Sequence, residues 1–233
     1  MKYKLALVLV AMFTLISCKD RPNPKEDSIV VNQTPNKAAN NLKEVITSAY
    51  AIKDSAGTKV KDSVQLRQSI TYNAKGQEHS NIFYNLDGSK QWEDVYTYNQ
   101  NGNKNGSKYY EDGRHMITYK YELDAQGRRV AYTAYEATAA VPMYSGYSEF
   151  NQDNTLRKDG NKNASGIITW NYEYSFTKDG EDLGYVYIDI RNGARYPSFY
   201  RVLKRNANNQ WIERAIVEND SIVGIETRQF IYN

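Results

Sequence analysis

The chain has 233 residues, 40% hydrophobic and 24% charged, with 21 Tyr, 14 Gly, 5 Pro and a single Cys. It is long enough for a real core, and its composition excludes a collagen, a coiled coil and a disulfide-stapled miniprotein. A mean hydropathy of -0.74 with one apolar stretch excludes a polytopic helical membrane protein.

Lys2 and Lys4 precede the apolar run Leu5 to Ile16, which is too short to span a bilayer but suits the core of a secretory signal. The run closes on Leu15-Ile16-Ser17-Cys18, which resembles the lipobox of bacterial lipoproteins. The resemblance implies a signal peptide over 1–17, a diacylglyceryl group on Cys18 as lipid anchor, and a place in the cell envelope as an outer membrane lipoprotein. Lys19-Asp20 after the anchor hints at export to the cell surface. The plain alternative is an ordinary cleaved signal with a chance cysteine. Cleavage before Cys18 would remove two of the 30 basic side chains and none of the 27 acidic ones, leaving a nearly neutral chain with no footprint for nucleic acid. With its thiol acylated, that chain would form no disulfide and would rely on packing.

Residues 18–40 hold three of the five prolines and read as a linker between anchor and domain. The domain is then 41–233. At its start, Asn40 to Tyr50 carries Leu42, Val45, Ile46 and Ala49 at helical spacing, while the following residues alternate and turn, so a short helix and a first strand both fit.

Beyond residue 45 the chain repeats. The dipeptides Asp87-Gly88, Asn101-Gly102, Asp112-Gly113, Asp179-Gly180 and Asn192-Gly193 suit type I′ hairpin turns. One turn series runs Gly76, Gly102, Gly127, Asn154, Gly180, Asn208, and a second runs Gly88, Gly113, about residue 140, Gly166, Gly193, Asn219. Two turns per period of about 26 residues make one β-hairpin per period.

Between turns the period is two. Trp170, Tyr172, Tyr174 and Phe176 share one strand face, as do Ile117, Tyr119, Tyr121 and Leu123, and Trp92, Asp94, Tyr96 and Tyr98. An aromatic stands four positions before the turn residue at Tyr72, Tyr84, Tyr98, Tyr109, Phe150 and Phe176, so the rings of adjacent hairpins should stack. The pattern Tyr-x-x-x-Gly, with its longer form Tyr121-Glu-Leu-Asp124-Ala-Gln-Gly127, resembles the YD repeats of RHS proteins and the hairpin repeats of Gram-negative surface lipoproteins. The resemblance covers most of residues 45 to 233 and implies the local hairpin architecture alone. The chain is too short for a closed cage and lacks a toxin segment and an aspartyl cleavage core.

The fold expected is therefore all-β: an antiparallel meander of about 14 strands, curled into a barrel-like or two-layer sheet because a flat sheet would leave its apolar face wet. A propeller fits less well, since four strands per blade give no whole number of blades.

Enzyme chemistry finds little support. His79 and His115 lie in different hairpins, and His115 is in phase with Ile117 as a rim residue of the aromatic face. Asp189 in phase with Tyr187 reads as a buried acid paired to Arg191 or Arg201. Asn101, Asn103, Asn105 and Asp112 have the spacing of a calcium loop but neutral amides where carboxylates belong, and Asp159-Gly160-Asn161-Lys162-Asn163 is weaker still. No catalytic residue, metal site or cofactor is assigned. Two function classes stand: a surface-anchored module binding a glycan, peptide or partner protein through its rings, and a structural or assembly lipoprotein in which the rings are core. Trp92, Trp170 and Trp211 are the rings expected at the mouth of a partly curled sheet, where a ligand could stack. Tyr135, Tyr147 and Tyr200 are the aromatics expected on the opposite face.

Overall fold

Each stretch between two turns forms a strand, because alternating residues give every segment one face to bury and one to leave in water. The computed structural model describes residues 41–233; the signal peptide, Cys18 and the linker lie outside the described residues. The first seven strands are β1 (Leu42–Ser55), β2 (Thr58–Tyr72), β3 (Glu78–Tyr84), β4 (Lys90–Tyr98), β5 (Lys104–Glu111), β6 (Arg114–Leu123) and β7 (Arg129–Glu136). The second seven are β8 (Pro142–Phe150), β9 (Leu156–Asn163), β10 (Ile168–Phe176), β11 (Asp182–Asp189), β12 (Ala194–Arg205), β13 (Trp211–Glu218) and β14 (Ser221–Tyr232). Each pairs antiparallel with its chain neighbours, and β1 pairs with β14, so the meander closes as a barrel with no free edge. The segment from Leu42 is strand, not helix: its apolar spacing serves the barrel wall, where Val45 and Ala49 are buried.

Register fixes the faces, since paired residues point the same way. Starting from Phe83 opposite Trp92, the same face carries Asp94 with Tyr109, Ser107 with Tyr119, Tyr121 with Tyr132, and Tyr132 with Gly146. It continues through Ser148 with Asp159, Tyr172 with Tyr187, Tyr185 with Ser198, Tyr200 with Ile216, and Arg214 with Glu226. Glu226 opposite Ala49, and Gln68 opposite Phe83, complete the circuit. This face is the interior: Phe83, Trp92, Tyr109, Ile117, Tyr119, Tyr132 and Ala134 form its largest buried cluster. The row Trp170, Tyr172, Tyr174 and Phe176 belongs to it, and Tyr172 packs edge-on against Trp170 and Tyr185.

The turns alternate between two ends. At the end that holds Asn41 and Asn233, here the proximal end, six loops share one design. The Asn73 N–H donates to the Gln77 carbonyl and the Gly76 N–H to the Asn73 carbonyl, with equivalent bonds at Asn99, Asp124, Asn151, Thr177 and Asn206. Only the fourth loop residue has positive φ, so these loops are not type I′ turns, and in the last of them that residue is Asn209, not Asn208. Among the five dipeptides, Asp112-Gly113 alone has positive φ at both residues. The loop near residue 140 contains no positive φ; it is a longer connection, 137–141, between β7 and β8.

The β1–β2 hairpin overruns the wall. β1 leaves β14 at Tyr50, after which register shifts bend the hairpin. Lys61 of β2 then meets Glu213 of β13 at 2.7 Å, although β1 and β14 lie between these strands in the sheet. The hairpin therefore leans across the outside of β14.

Candidate functional site

A β-bulge follows each proximal loop, and it places one residue per repeat on the inner face at the proximal mouth: Glu78, Lys104, Arg129, Leu156, Asp182 and Trp211. Facing them across five of the loops are Tyr72, Tyr98, Leu123, Phe150 and Phe176, the last inward residues of their strands. The aromatics that precede four of the six proximal turns, Tyr72, Tyr98, Phe150 and Phe176, thus form a belt beside a ring rich in charge.

The charges mostly pair around the ring. Lys104 meets Glu78 at 2.8 Å and lies over the Tyr96 ring. Desolvation pulls the Lys104 pKa down while Glu78 opposes it. Arg129 meets Asp159 at 3.1 Å, and Ser148 donates to the same carboxylate at 2.8 Å. Burial still raises the Asp159 pKa above the usual carboxylate range, against Arg129 and Ser148. Arg214 is sandwiched between Tyr200 (3.3 Å from the ring centre) and Trp211 (4.3 Å), and it contacts both Glu226 (2.6 Å) and Asp182 (3.4 Å). Burial alone would lower its pKa, yet Glu226, Tyr200 and Asp182 hold it above the usual arginine value. Arg228 stacks on the same indole at 3.9 Å.

The three tryptophans proposed for ligand stacking separate. Trp92 is 4% exposed and stacks on Phe83 at 4.0 Å. Trp211 is 8% exposed under the two arginines. Trp170 is half-buried in the wall of the lumen beside Tyr172 and Tyr187. Closure of the barrel removes the partly open mouth at which these rings were expected to gather, and no single site brings the three together. A small depression of about 170 Å³ at the distal rim is lined by Lys90, Trp92, Glu93, Val95, Tyr110, Asp112 and Gly113.

Other expectations shift face. Tyr200 is on the inner face with Arg214, not outside, because it continues the phase of Tyr196 and Ser198. Tyr135 and Tyr147 are outside, each under a lysine, Lys120 and Lys162. His115 pairs with Tyr110 rather than following Ile117, because a register shift separates Tyr109 from Tyr110. It bonds Thr118 at 3.0 Å on the outer face. Asp189 is buried and takes Arg191 through its N–H, Nε and Nη2, as its spacing suggested, and those bonds lower its pKa. Asn99, not Asn101 or Asn103, organises its loop, by accepting the N–H groups of both. The Arg214–Trp211–Arg228 stack was not anticipated; the only trace of it in the sequence is two arginines in strands that otherwise alternate normally.

No family model and no curated protein matches the sequence. Among solved structures the chain is similar to a porin-like protein from Bacteroides uniformis, at 8% identity and TM-score 0.46, over 82% of this chain and 98% of that one. A porin-like protein from Bacteroides vulgatus gives the same figures. A third similarity is to the Photorhabdus luminescens Tc holotoxin pore, at 11% identity and TM-score 0.33, over 79% of this chain and 12% of that one.

Proposed function

We propose that the chain is a cell-envelope lipoprotein, held to the membrane by lipid on Cys18, whose barrel stands in water on the 18–40 linker and serves as an interaction module for a glycan, peptide or partner protein. The observation that carries this reading is the outer face of the barrel. Lys158, Glu173 and Arg195 form an ion-pair chain on the outer face across β9, β10 and β12, with Arg195 exposed and the other two half-buried. Lys108 and Lys120 stand exposed on β5 and β6, and Glu93 pairs with Lys90 at the start of β4. A barrel that spans a bilayer presents an apolar band about 25 Å tall, and each Lys or Arg at its midplane costs about 2–4 kcal/mol. A wall that carries such charges on β4, β5, β6, β9, β10 and β12 is matched to water, so attachment falls to the lipid, where acyl chains contribute about 0.8 kcal/mol per buried CH₂.

The test is partition of the full chain. Wild type should take up labelled palmitate and enter the detergent phase, and Cys18→Ala should do neither. A Cys18→Ala chain that still enters the detergent phase as a folded barrel would overturn the reading in favour of a membrane-spanning wall. The structural or assembly reading keeps one observation in its favour: Trp92 and Trp211 are core, so the rings alone do not make a ligand platform.

A further inference from the structure

Arg214 and Arg228 share the Trp211 ring, yet they share the nearby carboxylates unequally. Arg214 contacts both Glu226 and Asp182. Among the described residues the Arg228 guanidinium makes neither a hydrogen bond nor an ion pair, and its Nε is buried without a partner. We infer that the Arg228 guanidinium, with the Trp211 ring against it and the Tyr72 hydroxyl within its electrostatic reach, forms a lumenal site for one carboxylate group of a small organic acid.

Three features define that ligand. A buried donor without an acceptor is costly, and a planar guanidinium is matched by a planar carboxylate through two parallel hydrogen bonds. Arg228 lies on the inner face but is only half-buried, so part of its surface is left uncovered by protein. Desolvation, then repulsion from Arg214, pushes its pKa down to about 10, a penalty that an incoming anion relieves. The charge of the ligand is limited by Glu226 and Asp182, which interact with the same guanidinium and disfavour a phosphate dianion over a monoanion. Its body faces the aromatic belt of the proximal mouth, where Trp211 holds the guanidinium and Tyr72 stands on the inner face, and this favours an aromatic or aliphatic acid over acetate. Tyr72 has no hydrogen-bond partner among the described residues, and burial raises its pKa to about 12, so its hydroxyl stays protonated and able to donate.

The site is independent of the anchor, so it is tested in both wild type and full-chain Cys18→Ala by calorimetric titration with sodium benzoate, sodium acetate and sodium phosphate at constant ionic strength. Saturable one-to-one benzoate binding is expected in both, at least tenfold weaker with Arg228→Gln, with acetate and phosphate each weaker than benzoate. Arg228→Lys should fall between, because it keeps the charge and loses the fork. Absence of saturable benzoate binding overturns the proposal, as do phosphate binding as tight as benzoate and an unchanged affinity in Arg228→Gln. If Arg228→Gln does not fold, Tyr72→Phe decides: a severalfold loss supports the site, and an unchanged affinity overturns it.

Discussion

The ring of Tyr132 occupies the space that a side chain at Gly146 would fill. The two residues are cross-strand partners on the inner face of β7 and β8, and a Cβ built on Gly146 would lie 2.0 Å from Tyr132 Cε1. Tyr132 is 2% exposed and meets Tyr119 and Tyr144 edge-on, so it has nowhere to go. Gly146→Ala should therefore lower stability by about 2–3 kcal/mol, the upper part of the usual overpacking range. Gly160→Ala is the control: its Cβ would meet Tyr147 at 2.7 Å, but that ring is on the outer face and can swing into water. Its thermal midpoint should fall by less than half as much.

The proximal loops depend on one left-handed residue each. Gly102 has φ +79° and Gly113, in the distal β5–β6 turn, +73°. A β-branched side chain is strained there, so Gly102→Val and Gly113→Val should each cost more than about 1 kcal/mol. The equivalent position in the β8–β9 loop is Asn154, at +68°. Asn154→Gly should leave the melting temperature near that of wild type, which would show that the conformation and not the glycine is what the repeat requires.

The hairpin repeat, the strand number and the aromatic face were readable because hydrophobic alternation and turn chemistry are local signals. Tyr72, Tyr98, Phe150 and Phe176 stand at equal spacing before their turns, and that spacing became a belt at one end of the barrel. What could not be read is whatever a bulge changes. One extra residue after each proximal loop reverses the phase, so Lys104 and Arg129 point inward although they look like solvent-side charges at strand starts. The same effect carried His115 to the outer face. Closure was beyond reach for another reason: the pairing of β1 with β14 joins Val45 to Phe230, and no local pattern reports a contact between chain ends.

Two tryptophans on the inner face should differ in cost. Trp92 stacks on Phe83 and touches Tyr109, inside the largest buried cluster. Trp92→Ala should cost about 4–5 kcal/mol, the upper range for removing a buried indole. Trp170 is half-buried against Tyr172 and Tyr187. Trp170→Ala should cost about 2–3 kcal/mol, less than full burial would give. Denaturant midpoints at unchanged m-value would check the order. Equal losses would mean that the lumen is packed as tightly at β10 as at β4.

Asp124 holds the β6–β7 loop. Its Oδ1 accepts the N–H groups of Gln126 (3.0 Å) and Arg128 (2.9 Å), and its Oδ2 takes Arg128 Nε (2.7 Å). Asn73, Asn99 and Asn206 perform the backbone part of that task in the sister loops. Asp124→Asn should therefore keep the loop and lose only the ion pair with Arg128, a half-buried surface pair contributing about 0.5–1 kcal/mol. Asp124→Ala should lose the backbone acceptor as well, for about 1–2 kcal/mol in total, by analogy with removal of a helix cap. Desolvation would raise the Asp124 pKa, but the hydrogen bonds and charge of Arg128 outweigh it and leave the group below its usual value. A carboxyl whose folded pKa is depressed contributes stability above its unfolded pKa, near 4, and loses it as pH falls through the folded value. The stability gap between wild type and Asp124→Asn should thus be full at pH 7 and close in acid once the pH falls below the depressed folded value. A gap that persists unchanged at pH 2 would show that the amide fails at the backbone bonds and that the sister loops are not equivalent.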